Sequence, residues 1–250
     1  RFIKTPNDCL PLFNGANSLK LSQIKRYLEN FKSDNKKNIY GGLFKIKHKN
    51  HFILIDIDKP PQKKFSKSYQ SGPLSFEYFL DGVKIITNSG FGNHISKKVE
   101  LLSRLTACQS TLTINETSIT KFEKNEMVNK VFGNSIQNSF KSFEFSSKNE
   151  SDIIGCSASN NGYEKKFGCT HKREIYIDKI NNYLKGTDHI FKAKDGYPIR
   201  YAFRFHINPE LNVIKTISGN SALIQISKNK SLLFTINNEN LGIEKSIFLG

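Results

Sequence analysis

The sequence predicts an all-β fold, a two-layer antiparallel β-sandwich with one short helix near the N terminus. Segments in which apolar and polar residues alternate recur along most of the 250-residue chain, and short turns that contain Gly or Asn separate most of them. Only the stretch from Ser18 to Phe31 shows the 3.6-residue apolar spacing of a helix, with Ser18 as its N-cap. Short connections favour antiparallel strands, because parallel strands need long crossovers.

The first residues predict a hairpin followed by a turn. Phe2–Lys4 and Cys9–Phe13 are short apolar segments on either side of Pro6-Asn7-Asp8, and Asn14-Gly15 then turns the chain toward the predicted helix. The chain opens at Arg1 without Met, so we expect it to be a portion of a longer protein or a processed form.

Two further strands and a connector follow the predicted helix. Asn38 to Ile57 is rich in strand-forming residues, and His48-Lys49-Asn50-His51 divides it as a turn. Basic residues surround these two histidines, which favours solvated side chains over metal ligands. Lys59 to Ser71 is rich in Pro, Lys and Ser, so we expect it to lie outside the core and to border a site.

The stretch from Leu74 to Ile114 organises the rest of the chain. Leu74–Leu80 and Val83–Ile86 predict a hairpin, because Asp81-Gly82 supplies the positive φ angles of a tight turn. Asn88–Asn93 contains two glycines and three turn-forming residues and predicts a loop. Ser110–Ile114 alternates again and predicts a third strand.

The remainder of the chain predicts a meander. Residues 115–149 are polar, with scattered apolar residues that predict strand fragments and an excursion loop. Eight strands are then predicted, namely Ile153–Ser159, Lys166–Ile177, Tyr183–Ile190, Ile199–Ile207, Val213–Ser218, Ala222–Ser227, Ser231–Asn237 and Leu241–Phe248. A hairpin about the turn at residues 160–163 would place Cys156 nearly opposite Cys169, which leaves open a cross-strand disulfide or two buried thiols.

Composition limits the classes of function. A chain of this length can bury one sizeable core, and no apolar run is long enough to cross a membrane. The net charge of +16 agrees with a polyanionic partner and equally with a coding bias toward Lys, Asn and Ile. The sequence has no G-x-S-x-G motif, no P-loop and no nucleic-acid-binding module, so it gives no support for a hydrolase, a kinase or a specific nucleic-acid partner.

Several short motifs, in order, resemble the C-terminal domain of the heparinase II/III-like family. They are Leu74-Ser75-Phe76-Glu77, the run from Arg104 to Ile114, Asn161-Gly162-Tyr163, Phe167-Gly168, His171, Arg173, Phe203-Arg204-Phe205-His206, Glu244 and Ser246-Ile247-Phe248-Leu249-Gly250.

The resemblance implies a domain and an activity. It implies that residues 1–250 form one β-sandwich domain, in which residues 1–35 would follow a helical toroid domain that this chain lacks. Members of the family cleave acidic, uronate-containing polysaccharides by β-elimination, which requires a neutralised carboxylate, a base and an acid. Their catalytic Tyr lies in the toroid domain, so we expect this chain to be inactive alone. The resemblance also implies a bacterial cell-envelope or periplasmic location.

The resemblance further implies that related lyases carry an H-x-H-x-D stretch just before the Leu-Ser-Phe-Glu strand, and that its second His joins an Asp and a later His around zinc. Here the corresponding positions are Ser68, Gln70, Asn88 and Gln109, and no His occurs between His51 and His94. Carboxamides are weak ligands for Zn²⁺, so we expect neither a metal nor another cofactor. The three carboxamides either bind each other or a sugar hydroxyl, or satisfy backbone groups at strand ends.

The matched basic residues are the other candidates for substrate binding. Arg104 either clamps a carboxylate or sulfate or pairs with Glu77 or Glu100. The alternating pairs His171 with Arg173 and Arg204 with His206 either line a polyanion groove or form the solvent face of the sandwich. The candidate substrate-binding residues are thus Arg104, His171, Arg173, Arg204, His206, Gln70, Asn88 and Gln109, and no catalytic residue is assigned.

Two other classes of function remain open. The carboxamides and the basic charge also agree with a non-catalytic carbohydrate- or polyanion-binding module. A structural envelope protein with an incidental basic surface would show no saturable binding to acidic glycans. Tyr163 follows a Gly at a predicted turn, which favours an aromatic that packs at a corner over a catalytic base.

Overall fold

The computed structural model describes residues 5–17, 19–24, 38–192, 199–237 and 239–250. Fifteen strands lie in this part of the chain: β1 (Ile39–Tyr40), β2 (Leu43–His48), β3 (His51–Asp56), β4 (Phe76–Leu80), β5 (Val83–Thr87), β6 (Leu112–Ile114), β7 (Ser142–Asn149), β8 (Ile153–Tyr163), β9 (Cys169–Asp178), β10 (Tyr183–Lys192), β11 (Tyr201–Phe203), β12 (His206–Ile207), β13 (Asn212–Lys215), β14 (Ser221–Ser227) and β15 (Lys230–Thr235).

The strands form four antiparallel sheets. The largest has six strands in the order β1-β2-β3-β4-β5-β12, and the second has four in the order β10-β9-β8-β7. A three-stranded sheet, β13-β14-β15, and a two-stranded sheet, β11-β6, complete the arrangement. Consecutive strands are neighbours nearly everywhere, as short turns require. The prediction of an all-β, antiparallel two-layer fold is confirmed.

The main core lies where the sheets face one another. Ile53 and Ile55 of β3 pack in the same apolar cluster as Ile175 and Ile177 of β9 and Ile224 of β14, and all five side chains are buried. Each such side chain contributes about 1.5–3 kcal/mol through burial. The six-stranded sheet therefore forms one layer, and the four- and three-stranded sheets face it.

The six-stranded sheet is also covered on its outer face. Phe52 and Leu54 of β3 and Phe79 of β4 form a second cluster with Phe13, which precedes the first strand. Every residue of β3 and β4 is buried. The predicted hairpin of β4 and β5 lies at the centre of this sheet, with Asp81 at φ 52° and Gly82 at φ 83° in its turn.

The N-terminal predictions are tested only in part. Phe2–Lys4, Ser18 and residues 25–37 lie outside the described residues, so the hairpin and most of the helix are not tested. Leu21–Ile24 forms a single 3-10 turn, and Cys9 makes an isolated bridge with Lys20.

Among the described residues, three α-helices occur where the sequence did not predict them, namely Lys97–Ser103, Glu126–Phe132 and the four-residue Glu164–Phe167. Lys97–Ser103 begins after Ser96, whose hydroxyl accepts a hydrogen bond from Val99 N, and Glu126–Phe132 begins after Asn125, which caps Met127 and Val128. Both are only seven residues long, which is too short for a clear helical periodicity.

The connector from Lys59 to Ser71 was predicted to lie outside the core, and this was wrong for its second half. Ser66, Tyr69, Gln70 and Ser71 are buried. The Ser66 hydroxyl donates to Lys63 O, and Ser71 Oγ donates to Thr120 Oγ1. Polar side chains enter this interior because each finds a hydrogen-bond partner.

The predicted strand Leu241–Phe248 was also wrong, since residues 240–250 have no regular secondary structure. Leu241 N donates to Gly219 O at 3.4 Å and Leu249 N to Ser89 O at 2.6 Å. The alternating pattern is present, but no strand among the described residues pairs with this segment.

Of the two alternatives left open for Cys156 and Cys169, the structure has the buried thiols, and it corrects the interpretation of one histidine. Cys156 and Cys169 are both free and buried. β8 continues to Tyr163, and the turn is the short helix Glu164–Phe167, so Cys169 pairs with Tyr163 rather than with Cys156. His51, predicted to be solvated, is buried. Among the described residues, no helix is long and apolar enough to cross a membrane.

Candidate functional site

Ser110, two residues before β6, connects three of the residues that the sequence singled out. Its N–H donates to Asn88 Oδ1 at 2.9 Å, and its hydroxyl accepts from His206 N at 2.9 Å. Its carbonyl oxygen accepts from Arg173 Nη1 at 2.8 Å. We call these four residues the Ser110 junction. The junction brings together residues that lie far apart in the sequence.

Two of the carboxamides meet at one backbone carbonyl beside the junction. Gln70 Nε2 lies 3.2 Å and Gln109 Nε2 3.0 Å from Ser103 O. Gln70 Nε2 also donates to Gly90 O at 2.9 Å, while Gln70 Oε1 accepts from Gly15 N at 3.0 Å. Both side chains are buried and bind backbone groups, which is the second of the two alternatives that the sequence left open.

Asn88 completes the set and reaches the N-terminal segment. Its Nδ2 donates to Leu12 O at 3.2 Å, and the side chain is fully buried. Ser68 is the remaining residue of the four that correspond to the family's His and Asp positions, and it lies beside Gly15. A Cβ added to Gly15 would come within 2.5 Å of Ser68 Cβ. Gly15 has φ 92°, so both its backbone and its surroundings favour glycine.

Residues 12–17, which we call the strap, bind two of the three carboxamide residues, Gln70 and Asn88. Leu12 N donates to Glu77 Oε1 at 3.1 Å, and Asn17 Oδ1 accepts from Phe91 N at 3.2 Å. Asn14 Oδ1 accepts from Gln70 N at 3.4 Å. The strap is thus bound along its length to the elements that carry the carboxamides, which are shielded from solvent.

The carboxamides do not fit a zinc ion. Gln70, Asn88 and Gln109 present neutral amides that already bind backbone groups, whereas Zn²⁺ prefers His, Cys and carboxylates. No group of three or more His, Cys, Asp or Glu residues in the described part of the chain is placed to hold a metal.

Arg104 is buried and binds backbone carbonyls. Nε donates to Tyr69 O at 2.8 Å, Nη1 to Asn134 O at 2.7 Å and Nη2 to Ser66 O at 2.7 Å. The guanidinium group stacks 4.1 Å from the centre of the Phe122 ring. Burial lowers the pKa of Arg104 to about 10. All three nitrogens are engaged, so Arg104 holds the connector in place.

The sequence also left open an ion pair between Arg104 and either Glu77 or Glu100. Neither forms among the described residues. Glu77 is buried and pairs instead with Lys84, whose Nζ lies 2.9 Å from Glu77 Oε1. The same carboxylate oxygen accepts the hydrogen bond from Leu12 N, so this buried pair also holds the strap.

His171 and Arg173 face the interior, so their interpretation as part of a solvent face was wrong. Arg173 donates from Nε to Asp188 Oδ1 at 2.7 Å and from Nη2 to Asp188 Oδ2 at 3.1 Å. His171 Nε2 lies 2.7 Å from the same Oδ1. Burial alone would raise the pKa of Asp188, but Arg173 and His171 outweigh it and hold the pKa well below its usual range. Burial lowers the pKa of His171, and Asp188 offsets this only in part.

Asp188 is a residue that sequence reasoning missed. It lies on β10 directly opposite Arg173 of β9. The sequence predicted both β9 and β10. Counting residues from the turn between them along each strand could have placed Asp188 opposite Arg173. Nothing in the local sequence pattern of β9 or β10 indicates that this face is buried.

Arg204 and His206 are the two of the eight candidates that are not buried. Arg204 Nη1 lies 3.5 Å from Glu244 Oε2. His206 Nε2 donates to Ala107 O at 3.0 Å, and Nδ1 lies 3.1 Å from Ser246 Oγ. Burial lowers the pKa of His206. The solvent-accessible edge of the site is therefore cationic through Arg204.

The sequence matches a known family model along most of its length. Residues 33–250 match the model described as heparinase II/III-like, C-terminal. The chain belongs to the heparinase II/III-like family. Among curated protein sequences, no match was found.

Solved structures of heparinase-like proteins share this fold. Heparan sulfate lyase HepC from Pedobacter heparinus superposes on 95% of this chain with a TM-score of 0.69 and 14% identity. A structure of heparinase III covers 92% of the chain with a TM-score of 0.63 and 14% identity. The chain spans 38% of the length of each of these two proteins. At this identity the likeness is one of fold.

Proposed function

We propose that the chain is the C-terminal β-sandwich domain of a polysaccharide lyase that cleaves an acidic, uronate-containing polysaccharide by β-elimination, and that the domain has no activity alone. The observation that carries the proposal is the family match over residues 33–250. The fold shared with heparan sulfate lyase HepC supports it. The proposed partner within the same protein is a preceding helical domain, and the proposed location is the bacterial cell envelope or periplasm.

The chemistry explains why a second domain is needed. In β-elimination a base removes the proton next to the uronate carboxylate, a cationic or hydrogen-bonding group stabilises the resulting charge, and an acid protonates the leaving oxygen. Tyr163 is unsuited to either proton transfer, because its hydroxyl donates to Thr117 O at 2.7 Å and burial raises its pKa. Tyr78 is likewise buried, and its hydroxyl binds His51 Nδ1. The base and the acid would then come from the helical domain.

The role left for this domain is to support the site and to neutralise substrate charge. The strap, the carboxamides and Arg104 supply a buried interior held by many hydrogen bonds to backbone groups. Arg204 supplies an accessible positive charge beside His206. A guanidinium group pairs well with a carboxylate or sulfate, the groups that an acidic polysaccharide presents.

The test compares the complete product of the natural gene with residues 1–250 alone. Both proteins are incubated with a panel of uronate-containing polysaccharides, and unsaturated uronate ends are measured by ultraviolet absorbance. We expect product from the complete protein and none from the 250-residue chain. Absence of product from the complete protein on every substrate would overturn the proposal.

A second candidate function is a non-catalytic module that binds acidic polysaccharide. The buried carboxamides of Gln70, Asn88 and Gln109 favour it, because they occupy the positions where related lyases are expected to carry His and Asp. The net charge of +16 agrees with it. Saturable binding of acidic polysaccharide by the complete protein, without unsaturated product, would support this candidate.

A further inference from the structure

The final segment of the chain, residues 241–250, lies across the two solvent-accessible candidate residues. Glu244 places a carboxylate oxygen 3.5 Å from Arg204 Nη1, and Ser246 places its hydroxyl oxygen 3.1 Å from His206 Nδ1. Arg204 and His206 are two positions apart in the sequence, and so are their partners Glu244 and Ser246. The final segment therefore presents a carboxylate and a hydroxyl group, side by side, to a neighbouring Arg and His.

These contacts are weakly held. The Glu244 side chain is 80% exposed, and an exposed ion pair at this distance contributes little to stability. Residues 242–248 donate no backbone hydrogen bond to the described part of the chain, although Leu241 and Leu249 on either side do. Near its end the segment packs closely against Gly90. A Cβ added to Gly90 would lie only 2.6 Å from Gly250 N. Glu244 and Ser246 can thus move away while the flanking anchors remain.

Arg204 is also only partly used in this arrangement. Its Nε is shielded from solvent and has no hydrogen-bond partner among the described residues. A guanidinium group binds a carboxylate best through two parallel N–H groups, whereas Glu244 approaches a single nitrogen. An unpaired buried donor costs free energy, which a ligand that supplies an acceptor would recover.

The state of His206 defines what it can bind. A carbonyl oxygen only accepts, so His206 donates from Nε2 to Ala107 O, and Nδ1 of the neutral ring accepts from the Ser246 hydroxyl. If Ser246 moves away, Nδ1 is free to accept a hydrogen bond from another hydroxyl group.

We propose that Arg204 and His206 form a subsite for one uronate unit of an acidic polysaccharide, and that Glu244 and Ser246 occupy this subsite when no saccharide is bound. This inference rests on the proposed function, since it assumes an acidic polysaccharide as ligand. The uronate carboxylate replaces that of Glu244 on Arg204. A hydroxyl of the same sugar replaces that of Ser246 on His206.

The test measures binding of an oligogalacturonate tetramer to the parent chain and to three variants by isothermal titration calorimetry. Glu244→Gln removes the competing carboxylate and should tighten binding about 2- to 5-fold, the strength of an exposed ion pair. Arg204→Gln should weaken binding about 10-fold or more, because a charge-assisted hydrogen bond is lost. Glu210→Gln removes one exposed carboxylate elsewhere, so it reports the effect of net charge alone. Equal tightening by Glu210→Gln and Glu244→Gln would overturn the inference.

Glu244→Gln is expected to tighten binding and Arg204→Gln to weaken it, so misfolding of one variant cannot produce both results. If Arg204→Gln lowers the melting temperature, the tighter binding of Glu244→Gln still stands as evidence. The His206 ring nitrogen resonances give an independent readout, since Nδ1 should change its hydrogen-bond partner when the tetramer binds. An unchanged Nδ1 resonance at saturation would contradict the role of His206.

Parallel titrations identify the ligand chemistry. A heparin-derived tetrasaccharide carries sulfate and carboxylate groups, cellotetraose is neutral, and inorganic sulfate has no sugar. The proposal requires the effect of Glu244→Gln with oligogalacturonate and none with cellotetraose. A response confined to inorganic sulfate would make the subsite a sulfate site and overturn the uronate assignment.

Failure of this inference differs from failure of the proposed function. If the complete protein forms unsaturated product but Glu244→Gln leaves binding unchanged, the lyase proposal stands and the subsite falls. If Glu244→Gln tightens binding and the complete protein forms no product, the subsite stands and the lyase proposal falls.

Discussion

Arg173 and Asp188 face each other across β9 and β10, and the guanidinium group binds both carboxylate oxygens, at 2.7 Å from Nε and 3.1 Å from Nη2. The remaining nitrogen, Nη1, donates to Leu74 O and Ser110 O. Arg173 therefore ties the four-stranded sheet to the central hairpin and to the Ser110 junction. A buried charge is tolerated here because every part of it has a partner.

Replacing Asp188 with Asn should therefore destabilise the protein strongly. The change leaves the Arg173 guanidinium buried without a counter-ion, and breaking a buried pair in this way costs about 3–5 kcal/mol. Urea unfolding gives the free energy of unfolding of parent and variant. The control is Glu174→Gln, which removes a partly exposed partner of Lys172 and should change the free energy little. Comparable losses in both variants would contradict the role assigned to the buried pair.

Asp56 should make stability fall as pH rises. Burial raises its pKa from 3.8 to about 7. Since the folded state binds this proton more tightly than the unfolded state, the stabilisation is complete below pH 3.8 and is lost as pH rises to about 7. Asp56→Asn removes the ionisation. The free energy of unfolding of this variant should therefore exceed that of the parent by little at pH 4 and by up to about 4 kcal/mol at pH 8. Urea unfolding across this range measures the difference.

The control for this pH profile is Asp58→Asn. Asp58 is exposed and only two residues away, so its replacement should leave most of the pH dependence in place. A constant difference between Asp56→Asn and the parent at every pH would show that Asp56 ionises normally in the folded state.

Asn88→Asp should loosen the strap. The change replaces the Nδ2 donor that binds Leu12 O with a carboxylate oxygen, which repels the carbonyl and is buried without a counter-ion. We expect a loss of about 2–4 kcal/mol in the free energy of unfolding and faster proteolysis within residues 12–17. In the control Asn93→Asp, the carboxylate still accepts from Asn17 Nδ2 near the surface. Equal resistance to proteolysis in both variants would argue against Asn88 as an anchor.

Removal of metal should leave the protein unchanged. Gln70, Asn88 and Gln109 offer neutral amides that already bind backbone groups, so we expect no stoichiometric zinc in the purified chain. Plasma mass spectrometry measures the metal content, and thermal unfolding with and without a chelator measures its effect. One equivalent of zinc, or a melting temperature lowered by the chelator, would refute the expectation.

The sheets could be predicted from local sequence patterns. Alternation and turn residues predict β2 to β5, β8 to β10 and β13 to β15, since each strand and its neighbour lie close in sequence. The same pattern misled at Leu241–Phe248, because alternation alone does not supply a strand to pair with. The short helix Lys97–Ser103 depends on its Ser96 cap more than on periodicity.

The candidate site was harder to predict, because burial of polar groups depends on distant partners. His171 and Arg173 read as solvent-facing until Asp188 and the carbonyls of Leu74 and Ser110 are known. From the sequence alone, Gln70 is an exposed loop residue, whereas in the structure Asn14 and Gly15 of the strap bind it. The sequence singled out these residues as candidates for substrate binding, which stays a prediction, but it did not indicate their buried partners, which lie from 15 residues away for Asp188 to 99 for Leu74 relative to Arg173.

The Ser110 junction has a consequence for folding kinetics. Its partners Asn88, Arg173 and His206 are 22, 63 and 96 residues from Ser110 in the sequence. Hairpins such as that of β4 and β5 close short loops and form early, whereas contacts at these separations carry a larger loop-closure entropy. We therefore expect the junction, and with it the accessible edge at Arg204 and His206, to form after the hairpins, so that a partly folded chain would not yet carry this edge.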